Sequence, residues 1–209
     1  MTDPRTTQLA QNLIRHSCHV QPGEHVLLEI IDAPDEIAIE LIRAIRNAGA
    51  HPHINLRHSR VTREMLTGAT DEQYATIAGL ELAEMEKMDA YIAIRGGHNS
   101  FENSSVPAEK MALAMKHMRP VHNQRVNQTK WCVLRWPTPS MAQGAGMSTE
   151  AFEDFYFRCC LADYAKLRVA MDKLAERMMR TDRVHIVGPG TDLTFSIKGM
   201  PAIPCAGDF

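Results

Sequence analysis

Short apolar, β-branched runs alternate along this chain with helical stretches of ten or more residues, and that alternation limits what it can fold into. Val26-Leu27-Leu28-Glu29-Ile30-Ile31 is nearly continuous in apolar character, the pattern of a strand covered on both faces. His51 to Leu56, Ala90 to Arg95 and Lys130 to Trp136 read as three further strands. Helical patterns occupy 6–19, roughly 62–88 and 106–128, and Ile37, Leu41, Ala44/Ile45 and Ala48 trace one face of another helix. Asp32 is placed to cap that helix, Pro34 stands in its first turn and Gly49 stops it. Strands spaced by helices of this length imply βαβ crossovers and a largely parallel sheet, and right-handed crossovers put helices on both faces. The expected fold is α/β: a Rossmann-like three-layer domain with a largely parallel sheet. Periodicity leaves the strand order open.

The pattern changes after Pro137. Residues 137–146 read as a small-residue linker or loop. Ser148 caps a long helix whose apolar stripe runs from Phe152 to Met178. Val184 to Val187, the turn Gly188-Pro189-Gly190 and Leu193 to Lys198 then read as an antiparallel hairpin. The expected division is residues 1–180 as an N-terminal α/β domain and 181–209 as the start of a second domain.

Composition excludes several function classes. Of 209 residues, 23 are Lys or Arg and 25 are Asp or Glu, a net charge of −2, with no basic excess of the kind a nucleic-acid binder carries. Six bases between Lys110 and Arg135, with Trp131 and Trp136 nearby, read as solvated helix faces or partner contacts, because alternate strand residues must be buried. The five cysteines are scattered without a Cys-x-x-Cys pair, which argues against a disulfide framework or a structural zinc and fits a reducing compartment. No apolar run is long enough to span a bilayer and no signal core opens the chain. A cytoplasmic location is expected, with no membrane and no nucleic-acid partner.

Chemistry-bearing motifs are few. His51 and His53 share one side of a strand, with His58 following, but no carboxylate joins them locally, and surface or subunit-contact histidines describe them better than a metal pair. Gly96-Gly97-His98-Asn99-Ser100 follows the third strand, where open α/β sheets bind ligands. It lacks the dinucleotide and P-loop spacings, and a plain tight turn also explains it. Gly97, His98 and Asn99 are carried as candidate ligand contacts. Cys159 and Cys160, adjacent on a helix, point about 100° apart and read as core packing. No catalytic constellation is visible.

Three blocks carry a resemblance: Trp136 to Gln143, Met147-Ser148-Thr149-Glu150-Ala151-Phe152-Glu153-Asp154-Phe155-Tyr156-Phe157, and Gly190-Thr191-Asp192-Leu193-Thr194-Phe195. With Val20 to Leu28 and Asn47-Ala48-Gly49-Ala50, they resemble the thermophilic metallo-aminopeptidases, the family of aminopeptidase T, aminopeptidase S and PepS. The resemblance implies an exopeptidase that removes N-terminal residues from peptides. It would use two divalent ions (zinc, cobalt, manganese or magnesium) to activate a bridging water and clamp the tetrahedral intermediate. It also implies a homodimer enclosing a cavity for its peptide substrate. The family's metal ligands begin at a Glu in an Asn-x-Pro-Asp-Gly-Glu segment that would follow Phe209, so no catalytic or metal residue carries over to this chain. The expectation is a truncated, non-catalytic N-terminal portion of such an enzyme. The alternative is a stand-alone α/β assembly or small-ligand module without hydrolase activity.

Overall fold

A computed structural model of the chain describes residues 3–208; Met1, Thr2 and Phe209, which the sequence reading takes in at the two ends, lie outside the described residues. Four strands, β1 (His25–Ile31), β2 (His51–Arg57), β3 (Ala90–Arg95) and β4 (Lys130–Arg135), form one sheet in the order β2-β1-β3-β4, every pair parallel. The expected α/β class with a parallel sheet is therefore observed. The two most apolar strands, β1 and β3, take the interior positions, because only there are both faces shielded. The mixed strands β2 and β4 take the edges.

Helices α1 (Pro4–Asn12) and α2 (Asp35–Asn47) cover one face. Leu9, Ile14, Ile37, Leu41 and Ile45 meet Val26, Leu28, Ile30, Ile92 and Ile94 there, and each is at most 3% exposed. Helix α1 starts at Asp3, whose side chain accepts a hydrogen bond from the Arg5 amide, and runs into a π-helical turn, Leu13–Ser17. Helix α2 ends in a Schellman turn. The Gly49 amide donates to Arg46 and the Ala50 amide to Ile45, with Gly49 at φ +78°. Helices α3 (Ser59–Gly68), α4 (Asp71–Met85) and α5 (Ala108–Gln128) follow in the chain. The opposite face of the sheet is closed by α4 and α5, where Met85, Met88 and Val121 pack on Leu27, Tyr91 and Ala93.

Three local expectations are corrected. Asp32 does not cap α2, which begins at Pro34 with no side-chain cap. Asp32 instead sits at φ +48° and turns its carboxylate to the start of α3, accepting from the Ser59 amide at 3.0 Å. Residues 137–146 are not all linker, because Pro139–Gly144 forms a short helix, α6. The long helix after Ser148 is two: α7 (Thr149–Cys160) and α8 (Tyr164–Met179). Asp163 breaks the run, because its carboxylate accepts from the Lys166 amide and starts α8 afresh. The apolar stripe reads through that break unchanged, so periodicity alone could not reveal it. Ser148 does cap α7, accepting from the Ala151 amide.

The chain divides into two compact units, the first ending at Leu161 and the second Ala162–Asp208. In the first, Trp136 packs edge-on to Tyr156 and Phe157 of α7. In the second, β5 (Arg183–Gly188) and β6 (Thr191–Ser196) form the expected antiparallel hairpin around Gly190 at φ +70°. No residue of α8, β5 or β6 is buried. Among the described residues, no helix is long and apolar enough to cross a membrane.

Gly96 brings two backbones together just beyond β3. Its amide donates to Ile31, and a Cβ built on it would stand 2.1 Å from the Asp32 carbonyl oxygen. Both partners are backbone, so neither can rotate away. Gly96→Ala should cost about 1–3 kcal/mol, whereas Gly97→Ala, with nothing within 4 Å, should cost no more than about 0.5 kcal/mol; urea unfolding compares the two. Equal losses would contradict the close approach.

Burial raises the pKa of Asp32, but hydrogen bonds from Ser59 and His58 and the nearby His98 outweigh it and hold the carboxyl below its ordinary value. A depressed folded pKa gives stability that is present above the unfolded value of about 3.9 and is lost as pH falls through the folded value. Wild type should therefore lose stability more steeply than Asp32→Asn below about pH 4, measured by thermal unfolding across pH. Parallel acid limbs would show that the Asp32 charge plays no part.

Candidate functional site

Parallel register decides which side chains meet at the carboxyl end of the sheet. Arg57, Ile31, Arg95 and Arg135 occupy one row across β2, β1, β3 and β4. Residues in one row of a parallel sheet point to the same face, and neighbouring strands lie about 4.8 Å apart. Three arginines from three strands thus line one edge, on the face that α4 and α5 cover. They border a crevice of about 700 Å³, whose wall also includes Ser59 and Thr62 of α3, Gly97, Asn99, Ser100, Glu102 and Ser140.

Topology explains why the crevice is there. The chain leaves β1 toward β2 through α2 on one face, and leaves β3 toward β4 through α5 on the other. The two loops diverge, and the gap between them is the switch point where open α/β sheets bind ligands.

The electrostatics of the wall are uneven. Arg57 is held by Glu29 at 2.9 Å and Glu81 at 2.8 Å. Burial opposes its charge, but the two carboxylates outweigh burial and raise its pKa. Glu29 also accepts from the Tyr91 hydroxyl, and the Arg125 guanidinium lies 3.9 Å from the centre of the Tyr91 ring. Burial, then the Glu29 charge, pushes the Tyr91 phenol well above its ordinary range, so it stays a donor. Glu102 is paired with Arg63 at 2.7 Å. Arg95 and Arg135 are exposed and have no ion-pair partner among the described residues.

The residues singled out from sequence fall at this edge. Gly97 and Asn99 line the crevice, and Gly97 is held by the Ser140 hydroxyl donating to its carbonyl. His98 and Asn99 border an adjacent cleft of about 670 Å³ with Asp32, His58 and Arg60. Sequence reasoning missed Arg57, Arg95, Arg135 and Ser140. The arginines carry a detectable signal, since Arg95 ends a strand run, Arg57 stands one residue after another and Arg135 one residue before the end of a third.

Three histidines of β1 and β2, His25, His51 and His53, gather at the opposite end of the strands. His25 faces His51 across the β1–β2 register, and His25 Nδ1 lies 2.9 Å from His53 Nε2. One ring donates to the other, so these imidazoles satisfy each other. Burial pushes the Cys18 thiol up to about 12 and raises Cys132 and Cys160, so these thiols stay protonated and are poor nucleophiles. A two-metal hydrolytic centre needs carboxylates and imidazoles that converge on the ions. Among the described residues, no three of the His, Cys, Asp and Glu side chains do so, and they do not fit such a centre.

Comparison with known proteins adds the lineage. No curated protein matches the chain. Among solved structures it is similar to AmpT from Thermus thermophilus, with 18% identity and a TM-score of 0.73 over 92% of this chain and 53% of that one. The likeness is one of fold, and this chain spans about half the length of AmpT. Two weaker similarities carry no argument. They are to the CurK enoyl reductase (TM-score 0.32, 15% identity, 75% of this chain and 49% of that one) and to a LacI-family repressor from Corynebacterium glutamicum (0.28, 11%, 63% and 60%). The sequence profile described as "Thermophilic metalloprotease (M29)" matches residues 2–201. With nearly its whole length matched, the chain belongs to the thermophilic metalloprotease (M29) family.

Proposed function

We propose that this chain is the N-terminal, non-catalytic portion of a metal-dependent aminopeptidase that removes N-terminal residues from peptides. The observation that carries the reading is the family match over residues 2–201. In this reading two divalent ions, zinc, cobalt, manganese or magnesium, are held by carboxylates and imidazoles outside residues 3–208. When bound, they supply the activated water and the charge that stabilises the tetrahedral intermediate. The enzyme acts as a homodimer in the cytoplasm. The parallel-sheet unit contributes a rigid wall of the peptide cavity and limits entry to short substrates.

Surface chemistry of the second unit supports this division of labour. Ile186, Val187, Leu193 and Phe195 of the hairpin are 46%, 69%, 49% and 39% exposed. A two-stranded hairpin with such a surface is marginal alone, and further sheet laid against it would bury those side chains. We assign the hairpin as the opening of the catalytic domain.

The direct test is an assay of the purified chain. With zinc, cobalt or manganese added, it should release no amino acid from a di- or tripeptide, and calorimetry should show no pair of tight divalent sites. Chelator-sensitive release, or two stoichiometric sites, would overturn the non-catalytic assignment. The wall has its own test in the longer enzyme. Removing residues 1–180 should relax selection for short peptides, and unchanged size selectivity would contradict the role.

A further inference from the structure

The crevice at the carboxyl edge of the sheet carries a surplus of positive charge that the aminopeptidase reading leaves unexplained. Every carboxylate in its wall is engaged, Glu29 by Arg57 and Tyr91, and Glu102 by Arg63. Arg95 and Arg135 remain, directly opposite each other in the β3–β4 register. Like charges facing across adjacent strands are destabilising, and an oxyanion between them removes the repulsion.

We propose that this crevice binds a small oxyanion, a ligand bearing a carboxylate or a phosphate, with Arg95 and Arg135 as its charged clamp. The site lies at the switch point between β1 and β3, where the following loops part. Its volume, about 700 Å³, suits a small organic molecule. Gly97 borders it with open space where a Cβ would stand, so a ligand oxygen can approach the backbone. Asn99 and Ser100 offer polar groups on the same rim. The start of α3 is not the anchor, because Asp32 already accepts from the Ser59 amide there. The side chains carry the recognition, and a guanidinium pair grips two oxygens of one group. The inference stands on this unit's own geometry and holds whether or not the chain is part of a peptidase.

The 209-residue chain should be titrated by calorimetry with inorganic phosphate, with N-acetyl-dialanine and with the amide of that peptide. At least one of the two oxyanions should bind saturably, the amide should not, and added salt should weaken the binding. Tighter binding of phosphate identifies a phosphate-bearing ligand, and tighter binding of the acid identifies a carboxylate. Both outcomes support the site. The double variant Arg95→Gln/Arg135→Gln should bind about tenfold more weakly or worse, with circular dichroism checking its fold. Should that variant not fold, Arg135→Gln alone, on an edge strand, carries the comparison. Arg95→Lys/Arg135→Lys should keep more affinity than the Gln pair. Absence of saturable binding by either oxyanion, or wild-type affinity in the Gln variants, would overturn the proposal.

Discussion

The pairing of β1 with β3 is the constraint on which the rest of the structure depends. The two strands run parallel and in register from Val26–Ala90 to Ile31–Arg95. Val26, Leu28, Ile92 and Ile94 are fully buried on one face and Tyr91 and Ala93 on the other. Each large side chain so buried contributes about 1.5–3 kcal/mol, and no edge strand matches that density. Because this pair sits at the centre, the chain must depart from it in opposite directions. That departure opens the crevice and sets the arginine row along its rim.

Much of this architecture was legible in the sequence. Four strands, the helices between them and the terminal hairpin follow from apolar runs, caps and turn residues. Strand order was not legible: that β1 and β3 take the interior and β2 and β4 the edges emerges only from the assembled sheet. What remained hidden depends on contacts between distant residues. Asp32 looks like the cap of the following helix, yet it serves a helix that begins 27 residues later. The break at Leu161 to Asp163 disappears under a stripe that keeps its period on both sides.

The candidate site shows the same division. The glycine run after β3 is visible because strand ends in α/β sheets bind ligands, and it does lie at the crevice. Arg95 and Arg135 do not read as a pair in the chain, because 40 residues separate them, and Arg135 reads as one of several scattered bases. Only register makes them neighbours. His25 joins His51 and His53 for the same reason. The family resemblance reached further than local chemistry could, since it rests on blocks such as Met147 to Phe157, in which Tyr156 and Phe157 join the core.

Membership of a metalloprotease family and a chain whose described residues bring no metal-binding set together are consistent if folding and hydrolysis reside in separate parts of the enzyme. The β1–β3 pair is the stable heart of the chain, whereas the hairpin Arg183–Ser196 buries none of its residues. Native-state hydrogen exchange tests this contrast most directly. Amides of Leu27–Ile30 and Tyr91–Ile94 should exchange slowest, through global unfolding, and those of β5 and β6 faster, by local opening. Hairpin amides as slow as those of β1 and β3 in the isolated chain would contradict it.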